Sequence, residues 1–350
     1  MNELQHIRLR QLSAMRGIRR AHSIRKKLNI RRNNIRKDKR PKKYEANQYA
    51  RTTCPKKPIK LIEDFRLLYN TENVIRQINQ AADYAKRHGG YSIHFDFSTV
   101  QKIDIGAIGL LLTVANTLSR SNCLVYGNVP TNEECKQLFF ESGFLDHVRL
   151  IQGEKPKRNG NNLMIIERGF DKTSNARFGI EIRKAVKHLT GIEETFRPVY
   201  GIIQEICANS IEHANQESHQ KNWLLTTYYA EDRVVFTMTD IGRGILGTLR
   251  KKIPQTMRDC FTDNVSILNG VFDKKYQSST FDSNRNKGLP KIKETNKNNY
   301  IENLKVITNN VFLDFNEKSG SRNLSTRLRG TFYYWELTKN AILKWKQRTN

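Results

Sequence analysis

The chain has 350 residues, enough for about two ordinary domains, and carries 61 Lys/Arg against 34 Asp/Glu, a formal net charge of +27. Only 37% of its residues are apolar, so part of it is expected to lie outside any core. The longest apolar run, residues 105–115, is about half of the roughly 20 residues a bilayer span needs, and no apolar stretch follows the N-terminal charges as in a secretory signal.

Five cysteines, with no CxxC and no neighbouring His cluster, read as reduced thiols of a cytoplasmic protein without a zinc site.

The charge is concentrated at the start. Residues 1–60 hold 20 Lys/Arg against Glu3, Asp38 and Glu45, a net of +17. Residues 1–58 read as a basic arm, partly disordered or helical, broken near its end by Pro41, Pro55 and Pro58. Its densest part includes Arg19, Arg20, Arg25, Lys26, Lys27, Arg31, Arg32, Arg36 and Lys37. Such density favours a polyanion through counterion release, so RNA or DNA is the expected partner. No base-reading motif accompanies it; a solvated tail and an anionic protein or membrane surface are the alternatives.

Residues 59–151 read as alternating strands and helices. The pattern predicts strands at 59–68, 92–97 and 123–126, an amphipathic helix at 71–87, an apolar helix at 105–119 and a helix at 131–142. That alternation indicates an α/β layer fold. Residues 152–162 are polar with Pro and Gly, and read as a linker. Residues 163–338 form a second unit. Helices are expected at 175–190 and 194–215, and strands at 222–230, 233–240, 303–308, 311–315 and 331–337. Residues 250–300 lack periodicity and read as a long functional or disordered loop. Residues 339–350 read as a short basic tail.

The most informative segment is IIQEICANSIEHAN, residues 202–215. Glu205, Asn209 and His213 are spaced i, i+4, i+8 and share one helical face; Ile203, Cys207 and Ile211 lie opposite and can pack on a sheet. An amide oxygen is a hard ligand for Mg²⁺, and a carboxylate beside it can accept a proton from water or a hydroxyl. An ordinary amphipathic helix with a solvated polar face explains the same pattern. Two further pieces point to a ligand. A strand ends in Asp240-Ile241-Gly242-Arg243-Gly244, where glycines permit close backbone approach. Then Asn286-Lys287-Gly288-Leu289 precedes Pro290, a glycine before a helix start, which is a phosphate-cradling arrangement.

Taken in this order, these pieces resemble the GHKL ATPase superfamily, which includes gyrase and the histidine kinases, and most of all its anti-sigma-factor serine kinases. The resemblance covers residues 165–338, and Gly330-Thr331 looks like the start of the family's last strand. It implies that Asn209 holds Mg²⁺, that Glu205 is the catalytic general base and that Asp240 accepts from the adenine amino group. It also implies that Gly242, Gly244, Lys287, Gly288, Leu289 and Thr331 shape the nucleotide site, with residues 250–287 as its lid. His213 stands at the same site, as a nucleotide contact or a cap on its wall. The second glycine box departs from the family in holding one glycine of three, which bears on turnover more than on binding. His188 lacks the acid that follows a phospho-acceptor histidine, so a sensor histidine kinase is disfavoured.

In the first unit, the strand ending at Asp96, Asp104 before the apolar helix, and Gly143-Phe144-Leu145 resemble a STAS domain, the fold of anti-sigma-factor antagonists. Where that family carries a phosphorylatable serine, this chain reads Asp104-Ile105-Gly106-Ala107, with no hydroxyl. Ser98 and Thr99 nearby read as structural. The resemblance implies a docking module that has lost its switch and that contacts its own ATPase unit.

The expected fold is therefore α+β and α/β: a STAS-like sheet-plus-helices domain, then a GHKL (Bergerat) α/β sandwich, with a basic N-terminal arm. The expected function is an ATP-binding regulatory protein, either a Mg²⁺-dependent ATPase or a serine/threonine kinase-like switch. The alternative is a nucleic-acid-binding protein in which ATP is only a structural or conformational ligand. A protein partner through the STAS-like unit and a homodimer, as in many family members, are further expectations.

Overall fold

A computed structural model describes residues 56–87, 92–120, 123–142, 144, 149–150, 164–169, 175–213, 223–252, 263–273 and 288–349. The chain divides into two units, residues 1–54 and 55–350. The first, which holds the expected nucleic-acid residues from Arg19 to Lys37, lies outside the described residues. No helix among the described residues is long and apolar enough to cross a membrane.

The second unit is mixed α and β and contains both regions expected from the sequence. Its N-terminal part has strands β1 (Lys56–Lys60), β2 (Asp64–Phe65), β3 (Ser92–Asp96), β4 (Lys102–Ile103), β5 (Leu124–Gly127) and β6 (Arg149–Leu150). Helices α1 (Thr71–Arg87), α2 (Ile105–Arg120) and α3 (Glu133–Glu141) alternate with them. β1, β3, β5 and β6 form a parallel sheet in that order, and β2 pairs with β4. The C-terminal part has β7 (Met164–Gly169), α4 (Asn175–Thr190), α5 (Arg197–His213), β8 (Trp223–Tyr229), β9 (Arg233–Asp240), α6 (Gly244–Lys252), α7 (Asn264–Phe272), α8 (Gly288–Lys297), β10 (Glu302–Asp314), β11 (Arg322–Thr338) and α9 (Lys339–Thr349). Its five strands form an antiparallel sheet in the order β10-β11-β9-β8-β7.

Two sheets share one core. Residues from Gly106 to Ala115 are all buried, the signature of a helix covered on every side. α1 and α2 pack against both the parallel and the antiparallel sheet. Their side chains join one cluster with Ile93 and Phe95 on one side and Leu224, Ile307, Leu324, Leu328 and Phe332 on the other. Gly106 and Gly109, on one face of α2, allow this approach. A Cβ at 106 would stand 2.9 Å from Phe332 Cζ, and one at 109 would stand 3.2 Å from Thr237 Oγ1. Beneath Gly109 the buried hydroxyls of Thr226 and Thr237 satisfy each other at 2.6 Å. Asp104 starts α2: its Oδ1 accepts from Ala107 N and its Oδ2 from Leu68 N. Burial pushes its carboxyl up against those hydrogen bonds. On the far face of the antiparallel sheet, α4 and α5 bury Phe178, Ile182, Ile203 and Cys207 against Trp223, Phe236 and Trp335.

Several sequence expectations are corrected here. The strand predicted at 59–68 begins at Lys56, inside the expected arm, and ends at Lys60. Beyond it Arg66 grips Asp64 through Nε and Nη2 at 2.8 and 2.6 Å, and the chain turns. The strands predicted at 303–308 and 311–315 are one strand, bulged around Asn309, whose φ of +54° an Asn tolerates better than most residues. β11 starts at Arg322, not 331. Its first half pairs with β10 alone and escaped notice because three arginines interrupt its alternation. The aperiodic stretch 250–300 contains the end of α6 together with α7 and α8. α7 is capped by Asp263, which accepts from Val265 N and Ser266 N. The expected tail is helix α9, which buries Ala341 and Ile342 and sets Trp345 edge-on to Phe196. Residues 152–162 lie outside the described residues.

Candidate functional site

The site candidates meet where the central strand β9 ends. Asp240 is its last residue and stands opposite Trp223 of β8 and Thr331 of β11. Its carboxylate is held at both oxygens: Thr331 N donates to Oδ1 at 3.0 Å, and Ser210 Oγ lies 3.1 Å from Oδ2. The same Ser210 hydroxyl donates to Ile206 O at 2.8 Å. One proton thus faces two acceptors, so the carboxylate receives at most part of a hydrogen bond there. Burial in these surroundings pushes the carboxyl up to about 6, with the two hydrogen bonds opposing it.

α5 brings the acid and the amide alongside. Ile203 and Cys207 are buried in the core as the periodicity requires, while Glu205 and Asn209 are only partly covered. Asn209 Nδ2 is buried and has no acceptor among the described residues, so the amide keeps an unspent donor. Glu205 faces the start of α8. A Cβ on Gly288 would stand 2.4 Å from Glu205 Oε2, so a larger residue would make the Glu205 carboxylate move. α8 begins at Gly288 itself, so the positive end of its dipole meets the carboxylate, and Pro290 sits in the first turn, where its missing N–H costs nothing. Lys291 Nζ lies 4.0 Å from Glu205 Oε1 and is half-exposed, a contact of about 0–1 kcal/mol.

Gly244 is explained by the sheet, while Gly242 contributes only a backbone hydrogen bond that other residues could make. Gly242 N donates to Arg329 O at 3.4 Å. Gly244 has φ +71°, and a Cβ there would stand 2.6 Å from Asn309 Oδ1 and 2.7 Å from Thr308 Oγ1. Those two side chains cap α6: Ile245 N donates to Thr308 Oγ1 at 3.0 Å and Gly247 N to Asn309 Oδ1 at 3.2 Å. Asn309 Nδ2 donates in turn to Arg243 O at 2.8 Å. The N-terminus of α6 is therefore occupied by protein. Thr331 is buried in mid-strand and Leu289 is half-buried against the core. Lys287 and the side chain of His213 lie outside the described residues.

The structure places these residues in two clusters along α5: Glu205, in mid-helix, with Gly288, and Asp240 at the end of β9 with Thr331 and Ser210, the neighbour of Asn209. It adds Ser210, Thr308, Asn309 and Lys291, which sequence reading missed. Ser210 had a signal, since it follows Asn209 on the helix and its hydroxyl reaches Asp240. Thr308 and Asn309 had none, because their partners lie more than sixty positions away. Comparison with models of known protein families and with the curated proteins found no match to this chain.

Proposed function

We propose that the chain is an ATP-binding regulatory protein of the GHKL type, acting as a Mg²⁺-dependent ATPase or a serine/threonine kinase-like switch. The observation that carries this reading is Asp240, an acid kept in a costly, half-buried position although its two hydrogen-bond partners would suit a neutral amide as well. An acceptor held rigid by Thr331 N and Ser210 is suited to an exocyclic amino group such as that of adenine. The other residues fit the same ligand. Asn209 is the residue to hold Mg²⁺, through its amide oxygen. Glu205, whose ion pair with Lys291 is long and half-exposed, is the carboxylate to take a proton from water or a hydroxyl. When bound, Mg·ATP supplies the transferable phosphoryl group and the charge that neutralises it. The N-terminal region, read as STAS-like, buries position 106 against Phe332, which agrees with a docking module whose hydroxyl switch has been given up.

Titration of the full chain with Mg·ATP by calorimetry, with phosphate release read in the same samples, tests this. Asn209→Ala is expected to weaken Mg·ATP by about 100-fold, the loss of one buried charge-assisted contact. Glu205→Ala is expected to leave binding within about threefold and to stop phosphate release or transfer. Unchanged affinity in Asn209→Ala refutes the site.

A second reading, in which ATP is only a conformational ligand of a nucleic-acid-binding protein, is favoured by the net +17 of residues 1–60. Deleting residues 1–54 is expected to abolish salt-dependent RNA or DNA binding while ATP affinity persists. Retention of nucleic-acid affinity by the truncated chain removes this reading.

A further inference from the structure

The first half of β11 projects past the end of β9, and α1 lies where a further strand would pair. Four contacts join them. Arg322 Nη2 donates to Thr71 Oγ1 at 3.3 Å, and Ser325 N donates to Glu72 Oε1 at 2.9 Å while its hydroxyl binds Oε2. Asn79 Nδ2 donates to Arg327 O at 2.8 Å, and Arg329 is ion-paired with Asp83. The Ser325 contacts hold the Glu72 carboxyl below its usual range.

The other side of the same segment carries the surroundings of Asp240. Arg329 O accepts from Gly242 N, and Thr331 N binds Asp240 itself. A Cβ on Gly247 of α6 would stand 3.3 Å from Arg327 Nη2. Asn309, which stands opposite Leu328, caps α6. Asn323 Nδ2 donates to Asp263 Oδ1 at 2.8 Å, the carboxylate that caps α7, and Asn264 Nδ2 donates to Asn310 Oδ1 at 3.1 Å. One strand segment, residues 322–331, is therefore held on one side by α1 and itself holds the Gly242–Gly247 turn and α7 on the other.

We propose that the seam between α1 and residues 322–329 controls the site at Asp240: docked, it keeps the turn after Asp240 and the starts of α6 and α7 in place, and loosening it releases them together. Its meaning as control of nucleotide affinity rests on the ATP reading above. The coupling itself does not. The polar contacts of the seam are mostly solvent-exposed and open to competition and salt, while Leu324 and Leu328 stay buried with Val74, Ile75 and Ile78 of α1, so the polar edge loosens without the strand leaving the core.

Amide hydrogen exchange of the full chain without nucleotide tests the coupling in four proteins: unmodified, Asp83→Arg, Arg329→Asp and the double exchange of both. Each single variant is expected to speed exchange in residues 242–252 and 263–273 by about fivefold or more, the size of a modest coupling energy, and the double exchange is expected to return it to within about twofold. Acceleration confined to residues 71–87 and 322–329 overturns the proposal. So does a uniform rise that includes β7 and is not reversed in the double variant. Mg·ATP calorimetry on the same proteins separates the two claims. If the unmodified chain binds no ATP, the nucleotide reading fails while exchange still decides the coupling. If it binds, single-variant affinities that do not fall by about fivefold overturn control of the site.

Discussion

Asp240→Asn is expected to lose ATP binding and to gain stability above pH 6. The amide fits the same hydrogen bonds: Oδ1 accepts from Thr331 N, Nδ2 donates to Ser210 Oγ, and the Ser210 proton stays with Ile206 O. The sign of the pH effect follows from the raised carboxyl, which titrates at about 6 in the fold against an ordinary value of 3.8. Between those values the folded chain keeps a proton that the unfolded chain has released. Stability therefore falls as pH rises from about 4 to about 6 and is flat with respect to this group beyond. The Asn variant lacks that slope and should be more stable at pH 7.5 by about 1–3 kcal/mol, the order of a two-unit shift. Its affinity for ATP should drop by about 100-fold, because an amide donor then faces the amino group. Thermal unfolding from pH 4.5 to 8 and calorimetry at pH 7.5 check both halves. An Asn variant that binds ATP normally would show that Asp240 does not read the base, and one less stable at pH 7.5 would show that ionised Asp240 is not a cost to the fold.

Gly330→Ala is expected to be the most damaging single-methyl change in the chain. Gly330 has φ +136°, a conformation L side chains rarely adopt. A Cβ there would stand 1.9 Å from Asp240 O, 2.9 Å from Asp240 C and 3.0 Å from Ile241 Cα. All three are backbone atoms, so no side chain can swing aside. β11 must part from the turn after β9, and the Thr331–Asp240 hydrogen bond goes with it. A loss of about 3 kcal/mol or more is expected, at the upper end of single substitutions, with a melting point lower by roughly 5–10 °C and ATP affinity falling in parallel. Denaturant unfolding followed on the tryptophans measures it; a loss below about 0.5 kcal/mol, the range of neutral surface changes, would refute the close approach.

The same two residues show where sequence reading stops. Gly330-Thr331 resembled a strand start, yet these residues lie in the middle of β11, where pairing passes from β10 alone to β9 and β10 together. Nothing local marks that point. Gly330 is needed because a strand end ninety positions earlier crosses its α-carbon. Likewise Gly244, singled out as part of a ligand-approach motif, is also confined by Thr308 and Asn309, which come later in the chain.

What the sequence by itself determined is whatever repeats with a helical or strand period. Helix α1 was legible at both ends. The apolar α2 and the two faces of α5 were legible too, so Glu205, Asn209 and Asp240 could be singled out before any coordinates. Local periodicity encodes which face is buried, and that is a property of neighbours four residues apart. The tertiary structure decided everything that depends on which surfaces meet. It placed α2 between two sheets, turned an aperiodic stretch into helices by burying Ile267, Phe272 and Ile292, and put the acid of β9 under the hydroxyl of α5. It also joined α1 to a strand about 250 positions away. Such contacts draw their stability from area and hydrogen bonds shared between distant segments, and no single segment carries the record of its partner.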